Sequence, residues 1–250
     1  MKINLAISIL ILLQLGRKEA DCRSQSKIQM LSPLHGIQVE HVSLGHTHTV
    51  LIEKSTKRVY CFGDNQRGQV DGNNANSVIN KNLRYPITPT FLDDIKCVDV
   101  AAGVFHSAAI TIDGKLITWG CSKFRQSFSK NRNSNENVRW GPADGSKLVK
   151  VACGYKHTLV LDEHGRVWSM GNDKYSQLGR KEVSKADEEP KLVDEWLGEK
   201  NNLTCVDISC GWSHNVVKVE KQNRTLFYGW GRNDKGQLGT LCTNKCIQTP

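Results

Sequence analysis

Four times along the chain, a short alternating apolar run is followed by a second apolar run, a polar turn and a third apolar run. The first runs read VEHVSLG, CVDVAAG, LVKVACG and CVDISCG, ending at Gly45, Gly103, Gly154 and Gly211. The second runs are TVLI, SAAITI, TLVL and NVVKV. The third are VYCFG, LITWG, VWSMG and LFYGWG, ending at Gly63, Gly120, Gly171 and Gly231. Period-2 alternation in pieces this short predicts half-buried strands rather than helices. Asp113-Gly114 is a good hairpin turn, and His164-Gly165 and Gln222-Asn223 are weaker versions of it. Each unit therefore reads as three or four antiparallel strands. The one segment where a helix could be placed is Lys181–Gly198, and its apolar content is thin.

The units share more than hydropathy. Between the first and second runs stands Gly-x-x-His, with histidines at His48, His106, His157 and His214, spaced 58, 51 and 57 residues apart. Six residues beyond the glycine of each third run stands a glutamine: Gln69, Gln126, Gln177 and Gln237. Self-similarity at such a period marks a repeat architecture. One small sheet cannot bury both its faces alone, whereas radial stacking hides the faces and leaves only short edges, the logic of a β-propeller. The fold class is thus all-β, a β-propeller with four recognisable blades. No Gly-Gly doublet occurs, which argues against kelch repeats, and the absence of Trp-Asp together with the long period argues against WD repeats.

One histidine per blade, at one blade position, places these side chains on a ring too wide for a shared metal ion. A structural role is expected: each imidazole bridges two backbone groups in its turn, and each motif glycine permits close approach or positive φ. The aromatic-Gly pairs are expected to pack between blades. Asn65, Asn172 and Asn233 fit side-chain capping of the turn that follows.

The combined pattern, G-x-x-H, then D/E-x-G, then W-G-x-N and G-Q-L-G, resembles the repeat of the regulator of chromosome condensation family over about residues 36–250. The resemblance implies a ring of seven blades, of which this chain holds an incomplete arc. It divides the chain into repeat 1 (36–96), a degenerate repeat 2 (97–147), repeat 3 (148–203) and a truncated repeat 4 (204–250). In repeat 2 the closing Gly-Gln-Leu-Gly has become Arg125-Gln126-Ser127-Phe128. That order of variants is similar to a secretion-regulating branch of guanine nucleotide exchange factors within the family. Residues 14–35 read as the tail of a preceding blade and its connection, because Gln14-Leu15-Gly16 is followed by a polar stretch and Pro33. Residues 1–13 are then a mis-joined or signal-like leader.

The resemblance implies regulation of a small Ras-like GTPase by nucleotide exchange, with secretory or exocyst proteins as further partners. A non-catalytic interaction scaffold and a chromatin-associated propeller are the alternatives. No P-loop, GxSxG, HExxH or Rossmann glycine pattern is present, so no covalent chemistry and no cofactor or metal is expected. Asp93-Asp94 and Asp187-Glu188-Glu189 read as solvated loop carboxylates.

The formal charge of +9 suits an anionic partner, but it is diffuse. The stretch Lys123–Arg139 reads as a solvated loop, and nucleic acid is not the expected partner. The nine cysteines include no CxxC, and several sit in apolar runs as small buried hydrophobes, which fits reduced thiols and a cytoplasmic or nuclear location. Secretion is the competing location. The apolar start and the sequons at Asn202 and Asn223 favour it, and the poor cleavage context after Gly16 or Ala20 opposes it.

Overall fold

The computed structural model describes residues 31–72, 82–127, 139–181, 183–184, 189–193, 203–222, 224–240 and 246–247. The leader (1–13), most of the 14–35 segment, most of the basic stretch including Phe128, both sequon asparagines, and Asp187 and Glu188 lie outside them.

The strands fall into four antiparallel sheets. The first holds β1 (Val39–Leu44), β2 (His48–Glu53), β3 (Val59–Asp64) and β4 (Asn82–Ile87). The second holds β5 (Cys97–Ala102), β6 (His106–Thr111) and β7 (Leu116–Gly120), with Trp140 bridging to Leu116 where a fourth strand would run. The third holds β8 (Leu148–Cys153), β9 (His157–Asp162), β10 (Val167–Gly171) and β11 (Lys191–Leu192). The fourth holds β12 (Thr204–Cys210), β13 (His214–Lys221), β14 (Arg224–Arg232) and β15 (Cys246–Ile247). Each sheet is a meander of sequential neighbours, as short turns between alternating strands dictate. The described part of 181–198 contains no helix, and Lys191–Leu192 pairs instead with Trp168 and Ser169 as a sheet edge. A segment with so few apolar residues has no stripe for a helix to bury.

The hydrophobic core lies between the sheets, in layers. Val50, Ile52, Val59 and Cys61 of the first sheet meet Val100, Ala102, Ile117 and Trp119 of the second. Ala108, Ile110 and Leu116 meet Val151, Val160 and Met170 of the third. Leu159, Leu161 and Val167 meet Ile208, Val217, Val219 and Trp230 of the fourth. A middle strand is thus packed on both faces: all six residues of β6 and of β9 are buried, whereas β13 alternates between buried and half-exposed.

Every first strand carries the same irregularity. Its pairing with the second strand skips one residue, at Glu40, Val98, Val149 and Val206. Such a bulge turns the following side chain out of the period-2 register. The residues so placed are His41, Asp99, Lys150 and Asp207, and they pair across neighbouring sheets: His41 Nδ1 lies 4.0 Å from Asp99, and Lys150 bonds Asp207. Asp99 also accepts Val151 N–H at 2.8 Å, and burial raises its pKa.

Candidate functional site

The Gly-x-x-His turns and the loops after the third strands lie at one end of the blades. There the repeat motif builds a lock from each blade to the next. His48 Nε2 lies 2.9 Å from Ser107 Oγ, and that hydroxyl donates to the Gln69 carbonyl at 2.7 Å. His106 Nε2 lies 2.9 Å from Thr158 Oγ1, which donates to the Gln126 carbonyl at 2.9 Å. His157 Nε2 lies 2.7 Å from Asn215 Oδ1, and Asn215 Nδ2 donates to the Gln177 carbonyl at 2.7 Å. Two indoles complete the pattern, Trp119 Nε1 donating to the Gln69 carbonyl and Trp230 Nε1 to the Gln177 carbonyl, each at 3.0 Å.

The expectation that each imidazole bridges two backbone groups of its own turn is therefore corrected. That turn closes itself: Gly45, Gly103, Gly154 and Gly211 N–H donate to the carbonyls of His48, His106, His157 and His214 at 2.8–2.9 Å. The imidazole is left to reach across the blade boundary. The motif glycines serve close approach, not positive φ. A Cβ on Gly103 would sit 2.3 Å from His106 Cε1 and 2.7 Å from the Gly154 carbonyl of the next blade. Gly63, Gly120, Gly171 and Gly231, by contrast, have φ between +93° and +118°.

The protons in each lock follow from the network. Each hydroxyl or amide spends its own proton on a glutamine carbonyl, so the histidine donates from Nε2 and keeps Nδ1 bare. Nδ1 of His48, His106 and His157 has no hydrogen-bond partner. Burial lowers the pKa of His48 and His157 to about 4 and that of His106 to about 3, so all three stay neutral near pH 7. His214 is half-exposed, makes no side-chain hydrogen bond among the described residues, and has its pKa lowered by desolvation.

A pH dependence follows. The unfolded histidines, near 6.5, bind more protons than the folded ones, so stability is complete above about pH 6.5 and is lost as pH falls toward the folded values. Urea midpoints measured between pH 7.5 and 4.5 should decline steadily below 6.5, and a flat profile would contradict the buried neutral locks.

The glutamines hold the loops that supply these carbonyls. Their Oε1 atoms accept from Arg67, Phe124, Tyr175 and Lys235 N–H at 2.8–2.9 Å. Asn65 and Asn233 cap Val70 and Leu238 N–H, while in repeat 3 that role falls to Asp173, which caps Leu178, and Asn172 caps Lys174. The residue before each glutamine is left-handed: Gly68 and Gly236 at +72° and +71°, but Arg125 and Ser176 at +60° and +58°. A non-glycine residue there costs about 1–2 kcal/mol. Ser176→Gly should therefore raise stability by about 1 kcal/mol in denaturant unfolding, with the Tyr175–Gln177 bond retained.

The lock partners Ser107, Thr158 and Asn215 are functional residues that motif reading passed over. Their signal was present, since a hydrogen-bonding residue follows every motif histidine (Thr49, Ser107, Thr158, Asn215). The four turns converge on a hollow of about 300 Å³ lined by Gly45, Gly103, Gly154 and Gly211 with His46, Val104, Tyr155 and Trp212. Among the described residues no three metal-ligating side chains converge, no disulfide forms, and burial pushes the Cys97, Cys153 and Cys205 thiols up to about 12. No described helix is long and apolar enough to cross a membrane.

Radially stacked three- and four-stranded meanders, locked by recurring His and Gln with a Trp at two of the boundaries, define a β-propeller. The chain belongs to the Regulator of chromosome condensation (RCC1) repeat family. One model of that repeat matches residues 39–69, 97–126 and 148–177, and a second matches 58–110 and 164–217. Among curated relatives, Ultraviolet-B receptor UVR8 of Arabidopsis thaliana is 30% identical over 84% of this chain and 44% of its own length. Probable E3 ubiquitin-protein ligase HERC4 of Homo sapiens is 31% identical over 86% of this chain and 19% of its own. The chain thus spans less than half of either relative. The crystal structure of Prp20p from Saccharomyces cerevisiae, described with its binding to Gsp1p and histones, superposes with a TM-score of 0.74 at 22% identity, over 97% of this chain and 56% of that one. Human WBSCR16 gives 0.73 at 23%, over 96% and 59%.

Proposed function

We propose that this propeller is a protein-docking module that performs no covalent chemistry. One observation carries the reading: the recurring polar groups are consumed in structure, the histidines of the first three repeats in blade-to-blade locks and the glutamines in their own loops, while the residues that vary between repeats stand at the loop ends. His46, Val104, Tyr155 and Trp212 occupy one such position, and Arg67, Phe124, Tyr175 and Lys235 another. Invariant packing beneath a variable face suits recognition rather than catalysis. The ligase name of HERC4 belongs to a protein of which the chain spans 19%, and it brings no activity here.

Within this reading, family membership supports a regulator of a small Ras-like GTPase, working in the cytoplasm or nucleus. Such a protein accelerates GDP release only if it binds the nucleotide-free GTPase more tightly than the loaded one. A role in secretion, through exocyst-type partners, rests on the order of the repeat variants. The test is release of fluorescent GDP from a panel of purified Ras-like GTPases. Acceleration of one of them by about tenfold or more supports exchange. No acceleration, and no retention of any nucleotide-free GTPase on the immobilised propeller, removes the GTPase reading and leaves the scaffold. Retention on DNA with a steep salt dependence would instead support the chromatin alternative.

A further inference from the structure

At the loop-end face, three lysines stack on aromatic rings instead of pairing with carboxylates. Lys156 Nζ lies 4.0 Å from the Phe124 ring centre and 4.5 Å from that of Tyr155. Lys123 sits 5.8 Å from Phe124, and Lys174 and Arg232 sit 5.3 and 4.9 Å from Tyr175. Tyr155 packs on Trp212 with ring centres 4.4 Å apart, and Trp212 is 53% exposed. These residues come from three consecutive blades: Phe124, Lys156, Tyr155 and Trp212 form a continuous ridge, and Tyr175 with Lys174 and Arg232 stands on the same loop-end face.

The carboxylates of the same face are turned into their own loops. Asp64 accepts Gln66 N–H at 3.1 Å, Asp173 accepts Leu178 N–H at 2.8 Å, and Asp234 is held by Arg232. Lys123, Lys156 and Lys174 form no ion pair among the described residues. The opposite end of the blades differs: Lys57 pairs with Glu40, Arg58 with Asp93, Arg139 with Asp113 and Arg166 with Asp144. Cations held on rings are pre-ordered, so a partner's carboxylate finds them at reduced entropic cost.

We propose that this ridge docks an acidic segment of a protein partner, with carboxylates on Lys123, Lys156 and Lys174 and an apolar side chain over Trp212. The proposal rests on the reading of the propeller as a docking module. A single-stranded nucleic acid fits less well. It needs open ring faces for its bases, and those of Phe124, Tyr155 and Tyr175 already carry cations. An exposed Trp beside unpaired cations matches the composition of interface anchors.

The test uses the full chain and a fluorescein-labelled peptide of repeated Glu-Glu-Leu, followed by anisotropy at near-physiological salt. Lys156→Glu is expected to weaken binding about tenfold and Trp212→Ala about fivefold, while Lys54→Glu at the opposite end changes it less than about twofold. Unchanged thermal midpoints confirm that all three variants fold. Equal losses for Lys156→Glu and Lys54→Glu would overturn the proposal in favour of diffuse charge attraction. Displacement of the peptide by oligothymidine at comparable affinity would overturn it in favour of nucleic acid. Self-association of the wild type that Lys156→Glu abolishes would overturn it in favour of contact between copies. If Lys156→Glu leaves GTPase retention intact and the wild type ignores the peptide, the ridge proposal fails alone. If the wild type retains neither GTPase nor peptide, the ridge proposal and the GTPase reading both fail.

Discussion

Trp230→Ala is expected to destabilise the protein by about 3–5 kcal/mol, a large share of the 5–15 kcal/mol typical of a folded domain. Trp230 is fully buried in the layer between the third and fourth sheets, with Leu159, Leu161, Ile208 and Val217. Its indole lies against Gly179, where an added Cβ would come within 2.6 Å of Nε1. Truncation removes the largest side chain of the layer and leaves a cavity that short, paired strands cannot close. The hydrogen bond contributes less than the packing. Gln177 O keeps its second donor, Asn215 Nδ2 at 2.7 Å, so Trp230→Phe should cost only about 1 kcal/mol beyond the volume change. Urea unfolding of the wild type and both variants separates these contributions. A cost below about 1 kcal/mol for Trp230→Ala would mean that the last blade is not cooperative with the third.

The sequence carries this layer plainly, and it carries others poorly, for physical reasons. The strands that pack on both faces stand out because burial on two sides leaves little room for charge, as in HSAAIT and HTLVLD, whose one carboxylate, Asp162, is paired with Arg166 at the strand end. The outermost strands do not stand out. Asn82–Ile87 includes Arg84 and Pro86, and Lys191–Leu192 is two residues long, because a sheet edge neither buries nor pairs enough to impose a pattern. The bulges at Glu40, Val98, Val149 and Val206 are equally silent: skipping one residue alters the face of the next side chain without altering composition.

The locks were half legible. Gly-x-x-His and the glutamine recur at fixed spacing, but each imidazole finds its partner 59, 52 or 58 residues away. No local pattern states that the neighbour's hydroxyl, rather than the turn's own backbone, is the acceptor. The loop-end ridge was the least legible part. Phe124, Tyr155 and Trp212 are far apart in sequence and are joined, Phe124 to Tyr155 through Lys156, only because the blades repeat at one radius and height.

Gly154→Ala is expected to cost about 3 kcal/mol, the upper end of the usual range for forcing one methyl into a packed site. The new Cβ would meet His157 Cε1 at 2.1 Å and the Gly211 carbonyl oxygen of the next blade at 2.8 Å. Neither can retreat. The imidazole is fixed by its 2.7 Å bond to Asn215, and the carbonyl belongs to the backbone at the end of β12. The backbone angle at Gly154 is not the obstacle, since its φ lies outside the positive range. The clash with the histidine can be tested apart from other effects by a double-mutant cycle with His157→Ala. Alone, His157→Ala should destabilise by leaving Asn215 Oδ1 without its donor and the layer with a void. In the double variant, removal of the imidazole makes room for the new methyl. Its total cost should fall short of the sum of the two single costs by about 1–2 kcal/mol. Strict additivity in urea unfolding would show that Gly154 is required by the Gly211 backbone alone, and the histidine would then act only as the link between blades.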